Sequence, residues 1–301
     1  MNPTSIKLHL LGYAYGNAGI DPRASEGPES VKHSPYLSEL AKHHIAYQWD
    51  DIIKLKQHCN SIEEEVQHCC EHLAKHIVNL VKEHQAFTVI GGDHTSAIGT
   101  WSGAYEAIKT KGPLGLIWLD AHMDSHTPET SESMRLHGMP LATLLGHGYS
   151  GLKSMLSSEP KIKPEHLCLV GVRSFERGEE EFLKKLNVRI YFIDEVKKRG
   201  IKTVLAEAQK IVSDHTAAYG LSLDLDGIDP QDAPAVNAPE PNGISAQELC
   251  AALPLLTGHK KFIGAEIAEF DPHLDKDKLT EQLIIKLIVS CFDANANSTY
   301  L

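Results

Sequence analysis

Short apolar runs that stop at a glycine or an acid recur along this chain, and they constrain its fold more than any other feature. Residues 8–11 run into Gly12, 86–90 into Gly91 and Gly92, and 114–119 into Asp120. Residues 167–170 stop at Gly171, 189–193 at Asp194, 219–223 at Asp224 and 262–268 at Glu269. Runs this short and this apolar predict strands buried on both faces of a parallel sheet. Helical patterns lie between them. Ser61-Ile62-Glu63-Glu64 has capping-box spacing, and Ile62, Val66, Cys69, Leu73, Ile77 and Leu80 then form an apolar stripe. Ser245 to Glu248 is a second capping box, opening a helix with Leu249, Ala252 and Leu253. A last helix is expected from about Thr280, with Leu283, Ile284, Leu287, Ile288 and Cys291 inside. Strands alternating with helices predict an α/β architecture with right-handed crossovers. In such sheets the ligand site lies beyond the carboxyl ends of the strands.

Four of those ends carry polar clusters. They are Gly91-Gly92-Asp93-His94-Thr95, Asp120-Ala121-His122-Met123-Asp124, the stretch from Asp224 through Asp226 to Pro230, and Glu269-Phe270-Asp271-Pro272. An extended Asp-x-His-x-Asp segment would put its three polar side chains on one face, and Asp224-x-Asp226 would do the same. With His94, four carboxylates and two imidazoles are expected at one sheet edge. Four carboxylates cannot all ionise in a small space without positive charge, so either several hold protons or cations sit among them. Two divalent ions would balance them. Oxygen ligands with a minority of imidazole suit Mn²⁺, whereas Zn²⁺ more often recruits thiolates or a mostly histidine set. A metal pair ~3.5–4 Å apart can acidify a bridging water, which makes hydrolysis the leading reaction class. A lone aspartate at a strand end is usually a turn or cap residue; two period-two clusters joined by Gly-Gly-Asp-His are much harder to read that way.

Composition narrows the partners. Among 301 residues, 29 Lys+Arg against 40 Asp+Glu leave a net charge of −11, which argues against binding nucleic acid or an anionic membrane surface. Six cysteines form no Cys-x-x-Cys pair, no apolar run approaches the ~18 residues that span a bilayer, and the opening residues resemble no secretory leader. A cytoplasmic protein with free thiols is the expectation. His68, His72 and His76 recur at helical spacing, but no acid completes a metal site beside them, so they are read as a solvated helix flank.

In this order, Gly-Gly-Asp-His, Asp-Ala-His-x-Asp and Ser-x-Asp-x-Asp-Gly-x-Asp-Pro resemble the ureohydrolase family, which includes arginase, agmatinase and formimidoylglutamase. The likeness runs from Glu26-Gly27-Pro28 to the last helix, so residues 1–301 are expected to form a single domain. It implies a three-layer α/β/α sandwich on a largely parallel, eight-stranded sheet, a binuclear manganese centre (Co²⁺ or Ni²⁺ could take the same ligands), and a trimer or hexamer. His94, Asp120, Asp124 and Asp224 would hold one ion. Asp120, His122, Asp224 and Asp226 would hold the other, with Asp120 and Asp224 bridging. The implied reaction is attack of a metal-bridging hydroxide, hydrogen-bonded by Asp124, on a guanidinium carbon. His137, in Leu136-His137-Gly138-Met139-Pro140, would shuttle a proton to the leaving amine, and Glu269 would grip the guanidinium.

Within the family the wording around His137 is most similar to arginase, as is the stretch Val170-Gly171-Val172-Arg173 with Gly178-Glu179. Hydrolysis of L-arginine to L-ornithine and urea is therefore the expectation. Agmatinase, 4-guanidinobutyrase and formimidoylglutamase remain alternatives. Arginases typically carry Asn where this chain has His126 and Arg135, and aspartates where it has Ser174 and Glu176. The expected contacts to the substrate's far end are His126, Ser133, Arg135 and Glu176. Arg135 could grip a carboxylate, or pair instead with Glu132. A pseudoenzyme should lack ligands, and none is missing. A deacetylase-like enzyme would use one metal and a different His/Asp set, and a metallophosphatase would want a basic clamp for which only Arg135 is a candidate.

Overall fold

The computed structural model describes residues 7–293. The opening segment read for a leader, and most of the tail after Phe292, lie outside the described residues. Eight strands form one sheet: β1 (Lys7–Ala14), β2 (Ala46–Lys54), β3 (Ala86–Gly91), β4 (Leu114–Leu119), β5 (Ile162–Val172), β6 (Arg189–Phe192), β7 (Ala218–Asp224) and β8 (Phe262–Ala268). The principal helices are α1 (Ile62–Lys82), α2 (Ser96–Ile108), α3 (Arg177–Lys185), α4 (Ile201–Ser213), α5 (Ala246–Thr257) and α6 (Leu279–Phe292). Every strand pair is parallel, in the order β2-β1-β3-β8-β7-β4-β5-β6. No helix of the described residues is long and apolar enough to cross a membrane.

Alternation along the strands feeds two cores. Ile117, Leu119, Leu221, Leu223 and Ile267 pack with α4, α5 and α6 on one face. Phe87, Val89, Leu116, Trp118 and Leu169 pack with α1, α2 and α3 on the other. Burial on both faces is why the strands read as continuous apolar runs. The α1 stripe is buried from Val66 through Leu80, and truncating a member such as Leu73 to Ala would cost roughly 2–5 kcal/mol. Ile62 departs from that expectation: as the first residue of α1 it overhangs the core and is exposed. Close packing also shapes the sheet centre, where a methyl at Gly220 of β7 would sit 2.1 Å from the Trp101 ring of α2.

The eighth strand, β2, is absent from the seven apolar runs. It is an edge strand whose residues are mostly half-exposed or exposed, so alternating polar residues break its run. Topology positions the site. β7 and β8, the last strands in sequence, insert between β3 and β4, so the carboxyl ends of the four central strands meet over one crevice.

Candidate metal centre

At the end of β3 the chain passes so close to its neighbour that a methyl on Gly92 would lie 2.1 Å from the Tyr15 carbonyl, and only glycine fits. Gly92 N donates to the Tyr13 carbonyl at 2.8 Å. The next two side chains part. Asp93 accepts from Ala18 N and Thr95 N, both at 3.1 Å, and so anchors the loop after β1. His94 points into the crevice, where its Nδ1 lies 3.0 Å from Asp124 Oδ2, 3.1 Å from Asp224 Oδ2 and 3.4 Å from Asp120 Oδ2. His122 Nδ1 lies 3.0 Å from Asp226 Oδ2 and 3.6 Å from Asp120 Oδ1.

The six expected side chains thus converge, but not by strand alternation. Asp124 has a left-handed backbone (φ 47°), and Asp226 sits in a 3₁₀ turn, Leu225–Gly227, whose start is capped by Asp224 accepting from Asp226 N at 2.9 Å. Turns rather than extended chain aim the carboxylates inward. The left-handed residues Asp124 and Glu269 (φ 68°) each store about 1–3 kcal/mol of strain, which the surrounding packing must hold. These six side chains make two metal-capable groups, His94, Asp120, Asp124 and Asp224, and Asp120, His122 and Asp226; a third among the described residues is His126, Glu176 and Glu179. Asp120 is common to the first two. Asp224 belongs to the first group alone, so its expected place in the second is not reproduced.

A buried polar layer backs His94. Trp118 stacks on its ring at 4.2 Å and donates Nε1–H to Asp120 Oδ2 at 2.8 Å. His94 Nε2 lies 3.1 Å from Ser222 Oγ, and Ser222 and Ser96 both donate to the fully buried Glu266. A carboxylate behind a ligating imidazole fixes its orientation and tautomer.

Electrostatics favour cations here. Burial, with neighbouring acids, pushes the carboxyls of Asp124 and Asp224 up, and burial with Asp120 alongside pushes Asp226 up to about 6 despite His122. Burial would raise Asp120 as well, but the His122 and His94 rings beside it pull it below its ordinary value. Burial opposes charge on His94, yet the surrounding carboxylates, Glu266 first, hold its pKa well above the usual range. His94 Nδ1 is buried and makes no hydrogen bond, although three carboxylates surround it. An orphaned imidazole nitrogen ringed by carboxylate oxygens fits a divalent ion.

Around the centre, His137 Nδ1 lies 3.1 Å from Glu269 Oε1, which also accepts from His94 N at 2.9 Å. Burial works against a charged His137, but Glu269 overrides it and raises the pKa to about 9. His126 Nε2 meets Glu176 Oε2 at 3.0 Å and Glu179 Oε2 at 3.4 Å. Glu179, unassigned from sequence, is buried at the start of α3 and accepts from Ser125 N at 3.0 Å. Burial, with Glu176 beside it, pushes its carboxyl up to about 8. Ser133 Oγ accepts from Arg135 N at 3.3 Å. Arg135 is exposed, and among the described residues no acid, Glu132 included, lies within ion-pair distance of it.

Glu266 was also missed, although a carboxylate inside the apolar run 262–268 is a signal that a partner must exist. His68, His72 and His76 join none of the metal-capable groups among the described residues; the first two rings meet at a tilt with centroids 4.5 Å apart, and His76 lies 3.7 Å from Asp51.

Known proteins similar to this chain are numerous. The arginase of Brevibacillus brevis is 35% identical over 282 residues, covering 91% of this chain and 94% of its own. The arginase of Bacillus caldovelox is 40% identical over 222 residues, covering 74% and 73%. The crystal structure of arginase from Bacillus subtilis superposes with a TM-score of 0.87 at 32% identity, covering 95% of this chain and 98% of that one. The family model described as "Arginase family" matches residues 7–293, and on these grounds the chain belongs to the arginase family of hydrolases.

Proposed function

We propose that this chain, acting as a single domain, hydrolyses the guanidino group of L-arginine to L-ornithine and urea. The observation that carries the reading is the pair of carboxylate–imidazole groups sharing Asp120 at the centre of the sheet. His94, Asp120, Asp124 and Asp224 would hold one ion, and Asp120, His122 and Asp226 the other, with Asp224 joining the second set only if its carboxylate bridges once the ions are bound. The donor set, rich in oxygen with two imidazoles and no thiolate, favours Mn²⁺, with Co²⁺ and Ni²⁺ as substitutes. When bound, two such ions supply the positive charge that offsets the carboxylates and acidify the attacking water.

The chain's own residues do the rest. Glu269 Oε1 is engaged by His94 N and His137, which leaves Oε2 to receive the paired N–H donors of a guanidinium. Asp124 orients the water by accepting its hydrogen bond. As oxygen bonds to the guanidinium carbon, Asp124 passes the oxygen's remaining proton to the leaving nitrogen; the C–N bond breaks, His137 protonates the departing amine, and His137 is recharged by the first proton the water shed. At the far end of the substrate, the unpaired Arg135 guanidinium meets the carboxylate. His126, Ser133 and Glu176 surround the remainder, and Glu176 takes the ammonium. A trimer or hexamer is the assembly this reading implies.

One observation favours a second substrate. Glu176 is already engaged by His126, which suits a guanidino acid lacking the ammonium, such as 4-guanidinobutyrate. Agmatine, with no carboxylate for Arg135, fits less well. The test is turnover by Mn²⁺-loaded protein: urea from arginine, agmatine and 4-guanidinobutyrate, and glutamate from formimidoylglutamate. Urea from arginine at the highest kcat/KM is expected. Turnover of another substrate with none of arginine would overturn the assignment. Arg135→Ala is expected to raise KM for carboxylated substrates about tenfold with little change in kcat; an unchanged KM would remove Arg135 from the substrate site.

A further inference from the structure

We propose that Glu240 is the positioning carboxylate behind His122, and that it sets how firmly the second half of the centre keeps its ion. The inference rests on the two-ion reading above. Both imidazoles turn Nδ1 toward the carboxylates, so each must carry its proton on Nε2, and a ligating ring keeps its orientation only if that N–H finds an acceptor. For His94 the acceptor side is built from Ser222 and Glu266, both fully buried. For His122 the candidate is Glu240, whose Oε1 lies 3.8 Å from Nε2, within ion-pair reach but short of a hydrogen bond, and is the only acid within 4 Å of that atom among the described residues.

Glu240 is held for this task. Pro239 and Pro241 flank it and restrict the backbone on both sides. The Arg173 guanidinium donates to the Glu240 carbonyl at 2.9 Å and the Pro241 carbonyl at 3.1 Å. It also donates to the Asp226 carbonyl at 2.6 Å and the Gly227 carbonyl at 3.2 Å. One side chain therefore ties the loop bearing Glu240 to the turn bearing the ligand Asp226. None of the hydrogen bonds from Arg173 goes to a carboxylate, so its charge is used to gather carbonyls rather than to neutralise Glu240.

The two halves of the centre are consequently unequal. The His94 side chain is fully enclosed and backed by a buried acid, whereas His122 is 26% exposed and backed by an acid 32% exposed. Water competes for the His122 partner and not for the His94 partner, so the ion at His122 is the more readily lost.

The test is metal content after dialysis against graded concentrations of a weak chelator, with wild type, Glu240→Ala and Glu240→Gln each loaded with Mn²⁺ alone. Wild type is expected to retain two Mn²⁺ per chain. Glu240→Ala should fall to one at a chelator concentration about 10–100-fold lower than wild type needs. Glu240→Gln, whose amide oxygen can still accept from Nε2, should recover most of the difference. Electron paramagnetic resonance follows the same loss independently: the spin-coupled pair signal should give way to that of an isolated Mn²⁺ in Glu240→Ala at concentrations where wild type stays coupled, and the rescue by Glu240→Gln is what general loosening would not produce. Wild type with two ions and Glu240→Ala with the same chelator series would overturn the proposal alone. Wild type holding fewer than two ions would overturn the two-ion reading, and the proposal with it.

Discussion

Asp120 presents one carboxylate oxygen to each half of the centre: Oδ2 lies 3.4 Å from His94 Nδ1 and Oδ1 3.6 Å from His122 Nδ1. Its backbone neighbourhood fixes that division, because Trp118 Nε1 donates to Oδ2 and His122 N to Oδ1. Asp120→Ala is therefore expected to lose both ions and all measurable turnover together. Metal analysis showing two ions still bound to that variant would contradict the shared role. The convergence of these side chains is legible because each lies within a few residues of a strand end, in three short contiguous stretches. Glu179, Glu240 and Glu266 were not, since what they touch is far away in sequence: Glu266 reaches Ser96 and Ser222, 170 and 44 residues distant. An apolar run reports burial without naming the partner a buried acid must have. The Arg135–Glu132 pair does not form, which leaves the Arg135 guanidinium with no ion-pair partner among the described residues.

Elements were read from periodicity, and they hold where burial is one-sided or complete. The start of α1 matches its capping-box spacing: Ser61 Oγ accepts from Glu64 N at 3.2 Å, and Glu64 reaches back to Asn60 N at 2.8 Å. Ser61→Ala should lower stability by about 1 kcal/mol, read as a shifted midpoint in urea at constant slope. Periodicity fails for β2, whose exposed edge mixes polar residues into the pattern, and for the ligand loops, whose left-handed and 3₁₀ conformations leave no periodic trace. The segment before β5 carries a device of another kind. Lys161 is buried, and its Nζ donates to the carbonyls of Lys153, Ser157 and Glu159 at 2.6, 2.6 and 2.9 Å. Burial pushes its pKa down to about 8, against about 10.4 for a free lysine. Between those values the unfolded chain binds more protons at this group than the folded chain does, so its contribution to stability rises with pH. Urea denaturation stepped from pH 8 to 10 should show wild type gaining on Lys161→Met throughout that window; parallel curves would exclude the effect.

Over the whole molecule, the order of the strands is what assembles the centre, and it is the least legible feature. Strand runs and helices can be counted along the chain, but nothing local says that β7 and β8 insert between β3 and β4. That insertion brings His94 within reach of Asp224, 130 residues later, and makes the metal site a property of the folded sheet alone. An unfolded chain has the same side chains but cannot gather them, so ions taken up by the centre would bind the native state in strong preference. Each site then adds RT ln(1 + [M]/Kd), about 2.7 kcal/mol when the free ion stands at 100 times its dissociation constant. For a chain of this size that corresponds to roughly 4 °C in Tm per site. Stripping the ions with EDTA and removing the chelator should lower Tm by at least that amount, and returning Mn²⁺ should restore it in a concentration-dependent way. The restoration should also be absent in Asp120→Ala, whose Tm should not respond to Mn²⁺ at all. A Tm in wild type indifferent to chelation would mean that the four carboxylates are held by protons instead, and that the centre is not a metal site.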